Sequence, residues 1–294
     1  MHEALPSRTA LRVALRRAAH QIYDTPPLVF PDPLALRILG GERGEHAEAL
    51  RKTANKLHKP HSVALRAFLV ARSRHAEDNL AQAVQNNVTQ YVLLGAGLDT
   101  FAHRNPHPGL RVFEVDHPAT QAWKQELLTR ANLDAPPSLT FVPVDFEDFE
   151  RQNLSGRLLA SGFDPARPAF FAWLGVVPYL TLEAFRSTVA FLAAQPPGSG
   201  VVLDYGLPRA ILPPLEQLAR DSMASRVRQA GEPFQLFFTP SEIAAEFAAF
   251  SRLEDLGTPE LNARYFPNRT HSSQLNQLPL QLLGSSGRLL TAWR

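Results

Sequence analysis

Three short strings, each following a run of apolar residues, carry groups suited to holding a nucleoside. The first is Leu94-Gly95-Ala96-Gly97-Leu98-Asp99-Thr100, after Tyr91-Val92-Leu93. Glycines let a chain turn tightly and let a ligand approach the backbone, although such a turn also serves plain packing. The spacing is not the dinucleotide fingerprint, because Thr100 stands where that motif needs Gly or Ala. The second string brings Asp116, about twenty residues beyond the glycines, where a carboxylate can accept from two vicinal ribose hydroxyls. An ordinary strand-end or N-cap aspartate before His117-Pro118 also fits. The third is Val144-Asp145-Phe146-Glu147-Asp148. Asp145 can accept from the exocyclic amine of adenine and Phe146 offers an apolar face. The other reading is an acidic loop, to which Glu147, Asp148 and Glu150 belong.

Arg72 completes the set. It follows Leu65, Phe68 and Leu69 and precedes Ala76 and Leu80 at helical spacing, which places a charge on an apolar face. An unpaired buried charge is very unfavourable, so Arg72 needs an anion. A protein carboxylate satisfies it, and so does the carboxylate of an amino-acid-like ligand, which the planar fork suits. Arg74 points elsewhere, to solvent or to Asp78. Together these residues describe a ligand with a ribose, an adenine and a carboxylate, and without a pyrophosphate.

The elements that must position them alternate. Strands are expected at 91–94, 111–115, 139–144, 169–174 and 201–205, with a helix at 181–194 between the last two. Such alternation predicts an α/β fold with a mostly parallel sheet covered on both faces, its ligand outside the carboxyl ends of the strands. Helices are expected at 7–23, capped by Ser7 or Thr9 and with Arg12 and Arg16 on a solvated face, and from about 60 to 84. Residues 24–32, with their prolines, form a rigid connector. Closing strands at 251–256 and 288–293 would make a hairpin-like pair and bring the sheet to seven strands, one antiparallel. The expected division of this single domain is an N-terminal helical cap (1–88), a cosubstrate-binding core (89–206), a lid or substrate segment (207–250) and closing strands (251–294).

Composition narrows the classes. The chain has 294 residues, 45% hydrophobic and 20% charged, which suits one α/β domain with a real core. No stretch approaches the roughly 20 apolar residues of a membrane span. Arg12, Arg16 and Arg17 interrupt the N-terminal apolar stretch and argue against a signal peptide. With no cysteine, disulfides and thiol chemistry are excluded. The expectation is a cytoplasmic protein that binds neither membrane nor nucleic acid, since no dense basic stripe interleaves with aromatics at a net charge of +2. His58, His61 and His75 lack metal-site spacing and read as surface or loop residues, so no metal is expected. No Gly-x-Ser-x-Gly elbow follows a strand, which disfavours a nucleophilic hydrolase.

At these residues the sequence resembles the leucine carboxyl methyltransferase-like family of class I methyltransferases, in its bacterial branch. The strings are Ala71-Arg72-Ser73-Arg74, 94–100, Phe113-Glu114-Val115-Asp116-His117-Pro118, Phe141-Val142-Pro143-Val144-Asp145-Phe146 and Trp173-Leu174-Gly175-Val176-Val177-Pro178-Tyr179-Leu180. They span roughly residues 60 to 206, and Asp32-Pro33-Leu34-Ala35 looks like the family too. The resemblance implies a Rossmann-like methyltransferase fold with a helical lid insertion, and S-adenosylmethionine as cosubstrate. It implies that Arg72 holds the methionine carboxylate and that Gly95, Ala96 and Gly97 line the methionine and ribose. Asp116, with His117 beside it, would bind the ribose, and Asp145 with Phe146 the adenine. Many members carry a glutamate where this chain has Leu174, which leaves the Leu174 carbonyl or another acceptor to take the amino group.

Methyl transfer from a sulfonium is an in-line displacement that needs alignment and exclusion of water. A carboxylate acceptor needs no base and a hydroxyl benefits from one. Tyr205, ending the fifth strand before the lid segment, is the first candidate for positioning an acceptor. Tyr179 is the second, and His117 also lies at a strand end. The expected activity is O-methyl transfer to a carboxylate or hydroxyl of a small molecule. Two rivals stand beside it: a catalytically silent S-adenosylmethionine-binding regulatory module and a nicotinamide-dependent oxidoreductase.

Overall fold

The short apolar runs become strands because they are rich in β-branched and aromatic residues and are buried on both faces, as in a parallel sheet covered by helices. A computed structural model describes residues 6–41, 44, 48, 51–52, 57–148, 153–229, 231–267, 280–284 and 286–294; Glu150 of the acidic loop lies outside them. The strands are β1 (Gln90–Leu94), β2 (Arg111–Asp116), β3 (Leu139–Pro143), β4 (Phe170–Trp173), β5 (Gly200–Gly206), β6 (Arg252–Leu256) and β7 (Gly287–Trp293). They form one sheet in the order β3-β2-β1-β4-β5-β7-β6, parallel except for β7, which is antiparallel to both neighbours. The closing pair is therefore antiparallel as expected, but β7 is inserted between β5 and β6.

Helices α1 (Arg8–Tyr23) and α2 (Pro60–Gln85) precede the sheet. Ser7 caps α1, its hydroxyl accepting from Ala10 N at 3.0 Å. Next come α3 (Phe101–Arg104), α4 (Pro118–Arg130), α5 (Leu154–Ala160) and α6 (Leu182–Ala193), then α7 (Pro214–Gln229), α8 (Pro240–Glu246) and α9 (Thr258–Tyr265). On one face of the sheet Trp173 stacks on Phe185 of α6, with centroids 5.4 Å apart. On the other, Tyr91, Phe101 and Phe170 pack against the second half of α2. Burying each such ring stabilises the fold by roughly 1.5–3 kcal/mol.

Three expectations need correction. Helix α2 is buried on most sides rather than along one stripe, because α1, the sheet and the C-terminal elements all pack on it. Arg66, which the apolar pattern gave no reason to single out, is buried and holds Asp24 with two hydrogen bonds of 2.7 and 2.6 Å. His75 is not a surface residue: it is fully buried in α2, with Tyr265 Oη at 2.9 Å and Thr291 Oγ1 at 2.8 Å. Arg12 and Arg16 are half-buried, and burial, with Arg226 nearby, lowers the Arg16 guanidinium to about 10. No helix among the described residues is long and apolar enough to cross a membrane.

Candidate functional site

A cavity of about 490 Å3 lies at the carboxyl ends of β1 to β4, where an open α/β sheet binds ligands. Its floor is the glycine turn. Gly95 has φ +74° and Gly97 φ +51°, backbone that side chains rarely adopt. A Cβ on Gly95 would sit 2.2 Å from Val176 Cγ2, so the turn and the loop after β4 touch only because that residue is glycine. The Gly95 and Ala96 N–H groups both donate to the Val115 carbonyl, at 2.8 and 3.0 Å, which ties β1 to β2 beneath the cavity.

Asp116 faces this turn. Its Oδ2 accepts from Gly97 N at 2.5 Å and its Oδ1 from His117 N at 2.7 Å. Each oxygen keeps a lone pair for a further donor. Burial pushes this carboxyl up, while the two backbone N–H groups pull it back. His117 caps α4, its Nδ1 accepting from Ala119 N at 3.2 Å. That bond leaves the proton of a neutral ring on Nε2, 3.8 Å from Asp145 Oδ2. Asp145 also accepts from Glu147 N at 3.0 Å, and half-buried Phe146 packs against the core beside it. Asp116, His117, Asp145 and Phe146 thus line one cavity, as do Ala96 and half-buried Leu174.

Arg72 has the protein partner that its buried charge needs. Its Nη1 donates to Asp204 Oδ2 at 2.8 Å, so a protein carboxylate neutralises it, and it also lines the cavity. Asp204 Oδ1 accepts from Gly175 N. Gly175 has φ +73°, and a Cβ there would lie 2.8 Å from Arg72 Nη2. Asp204 was missed in the sequence, yet it carries the signal that singled out Asp116: a carboxylate at the end of an apolar strand.

The two tyrosines separate. Tyr179 lines the cavity and packs on Phe234 with centroids 5.2 Å apart. Burial pushes its phenol up to about 12, so near neutral pH it is a hydrogen-bond donor and not a base. Tyr205 does not line the glycine-turn cavity but lines a second cavity beside it, together with Asp204. Its hydroxyl donates to Asp255 Oδ2 at 2.8 Å, and burial with Asp255 holds the phenol well above its ordinary value. Successive residues of β5 point to opposite faces, so Asp204 reaches Arg72 while Tyr205 turns toward β6.

The roof is drawn from the segments expected as N-terminal cap and lid. Thr9, Ala10, Val13 and Arg17 of α1 cover the cavity, joined by Glu232 and Gln235. Thr9 donates through both its backbone N–H (3.0 Å) and its hydroxyl to Glu232. Arg17 fixes α1 to the turn through Asp99 (2.7 Å) and Asp32 (2.6 Å). Burial pushes the Asp99 carboxyl up, but Arg17, Arg104 and Lys124 outweigh it and hold it below the usual range. Thr100, where a dinucleotide motif needs a small residue, is buried and donates to Asp32. Among the described residues no group of three or more His, Asp or Glu side chains is placed to hold a metal.

Sheet order and ligand cavity define a Rossmann-like class I methyltransferase fold. A crystal structure of a "putative methyltransferase" from Thermobifida fusca YX superposes with TM-score 0.57 at 22% identity, covering 93% of this chain and 99% of that one. A DUF574 family protein from Streptomyces avermitilis superposes with TM-score 0.55 at 19% identity, covering 87% and 94%. Both likenesses concern the fold. The sequence profile described as leucine carboxyl methyltransferase matches residues 10–193. The chain is 34% identical over 285 residues to the "Putative S-adenosyl-L-methionine-dependent methyltransferase YktD" of Bacillus subtilis (strain 168), covering 90% of this chain and 92% of that one. It is 28% identical over 305 residues to a similarly described protein of Mycobacterium tuberculosis (strain ATCC 25177 / H37Ra), covering 95% and 94%. The chain belongs to the leucine carboxyl methyltransferase family, whose cosubstrate is S-adenosylmethionine.

The cavity suits that cosubstrate. It has the volume of a small-molecule site, Asp116 has lone pairs to spare, and a Cβ on Gly95 or Gly97 would run into Val176 or Ala10, which line the same cavity.

Proposed function

We propose that the protein transfers a methyl group from S-adenosylmethionine to an oxygen, carboxylate or hydroxyl, of a small molecule. The observation that carries this reading is the convergence of Gly95–Gly97, Asp116, Asp145 and Arg72 on one cavity. In this reading Asp116 accepts from the ribose hydroxyls, and Asp145 with Phe146 holds the adenine. Arg72, its Nη1 committed to Asp204, offers its remaining N–H groups to the methionine carboxylate. Bound there, S-adenosylmethionine supplies an electrophilic methyl on a sulfonium. The chain's own work is alignment and exclusion of water: Tyr179 and the Thr9–Glu232 clasp close the cavity from above. A nicotinamide dinucleotide is disfavoured, because Thr100, tied to Asp32, stands where the pyrophosphate needs close approach to a helix.

Calorimetric titration with S-adenosylhomocysteine, S-adenosylmethionine and NADH tests the reading. Saturable binding of the first two is expected, and NADH binding without them would overturn it. Incubation with a panel of small carboxylates and phenols should release S-adenosylhomocysteine. Tight binding without any product would favour the silent module instead.

A further inference from the structure

A second cavity, of about 660 Å3, lies across the Arg72–Asp204 pair. Arg72 lines the first cavity and Asp204 the second. The wall between them alternates in the same way: Tyr179 and Gln235 face the first, Pro178 and Phe234 the second. The two spaces therefore meet at a thin partition that ends on a carboxylate.

The second cavity is built for flat apolar molecules. Gly206 and Gly287 are register partners at the ends of β5 and β7. A Cβ on Gly287 would lie 2.9 Å from Phe68 Cζ, and one on Gly206 would lie 3.1 Å from Phe237 Cδ1. The bare strand ends thus let two rings lie directly on the backbone. Phe234 stands edge-on to Phe237, with centroids 6.1 Å apart, and Ala219 and Met223 of α7 close the far side. Arg220 keeps its charge, which Glu216 in the same lining offsets. It lies 4.6 Å over the Phe237 ring and donates to the Leu207 and Ser286 carbonyls. Asp204 gives one oxygen to Arg72 and one to Gly175 N, and each oxygen retains a lone pair.

We propose that this cavity is the methyl-acceptor site and that its substrate is a small aromatic molecule carrying a neutral hydroxyl, in preference to a carboxylate. The proposal rests on the methyltransferase reading above. Aromatic walls favour a planar acceptor through offset and edge-to-face contacts. Asp204 accepts a hydrogen bond from a hydroxyl but repels a carboxylate. In the transfer a lone pair of the acceptor oxygen forms the new O–C bond. The C–S bond breaks with its electron pair staying on sulfur, giving a neutral thioether. The hydroxyl becomes strongly acidic as the O–C bond forms, and its proton passes along the hydrogen bond to the Asp204 carboxylate.

The test uses 2-naphthol and 2-naphthoate as probes of the full chain saturated with S-adenosylhomocysteine. Wild type should bind 2-naphthol saturably, and 2-naphthoate at least about tenfold more weakly. Ala219→Trp fills the cavity from α7 and should weaken 2-naphthol at least about tenfold, with S-adenosylhomocysteine affinity held within about twofold. Met223→Trp fills the same space should the first variant fail to fold. With S-adenosylmethionine, methyl ether formation should follow the same order. Absence of saturable 2-naphthol binding, equal binding by the filled variants, or tighter naphthoate binding would overturn the acceptor assignment. Failure of the wild type to bind S-adenosylhomocysteine would instead sink the methyltransferase reading itself.

Discussion

The cavity at the glycine turn offers a ligand backbone, carboxylates and a guanidinium; the cavity across Arg72–Asp204 offers rings. The floor of the first is built from loops that directly follow consecutive parallel strands, so Asp116 and Asp145 lie within a few residues of apolar runs. The second is assembled from α2, the end of β5, α7 and the start of β7, segments far apart in the chain. Polar groups fix orientation only when each has a placed partner, whereas an apolar pocket needs shape alone.

The partition is the point at which the comparison breaks most sharply. Arg72→Ala leaves Asp204 buried without its cation and should cost about 3–5 kcal/mol of stability, read by denaturant unfolding. Adding Asp204→Asn should recover much of that loss; no recovery would mean that the two do not act as a pair. Next in size is Gly95→Ala, which combines a strained φ with the Val176 contact. It should lower stability by about 3 kcal/mol and abolish measurable S-adenosylhomocysteine binding, by thermal melt and calorimetry. An alanine tolerated there would show that the floor yields as an apolar wall does.

Asp116→Ala should weaken S-adenosylhomocysteine by about 1–3 kcal/mol while leaving 2-naphthol binding in place. Because burial raises the Asp116 carboxyl and only its ionised form accepts from both hydroxyls, wild-type affinity should fall on acidification. The fall should begin at higher pH than for an ordinary aspartate, and an affinity flat with pH would remove Asp116 from the ribose. The smallest effect is expected at the roof. Glu232→Gln should speed S-adenosylhomocysteine dissociation about fivefold, near 1 kcal/mol, in stopped-flow displacement. An unchanged rate would leave the clasp a purely structural contact.

Most of the sheet was legible because its signals are local. Apolar runs bounded by Gly, Pro and Asp marked the first five strands and both closing strands to within a residue or two. Helix α4 was not, since its buried face carries Thr120, Gln121 and Lys124, and a period counted in apolar residues passes over it. Those groups are buried because they are paired: Lys124 Nζ reaches Glu114 Oε2 at 2.5 Å and the Asp99 carbonyl at 2.6 Å. Arg66 was passed over and His75 misread as a surface or loop residue for the same reason: a buried polar residue is recognised by its partner, and Asp24, Tyr265 and Thr291 are remote in sequence.

From the sequence alone came the strand-end residues that line the glycine-turn cavity, because a strand followed by a glycine turn or a carboxylate is a local statement about chain direction and chemistry. The fold alone revealed that Asp204 is the partner of Arg72, that Tyr205 turns to Asp255, that Thr9 of α1 clasps Glu232, and that Gly206 and Gly287 meet to seat two aromatic rings. Each of these is a contact between segments whose separation along the chain carries no information about their distance in space.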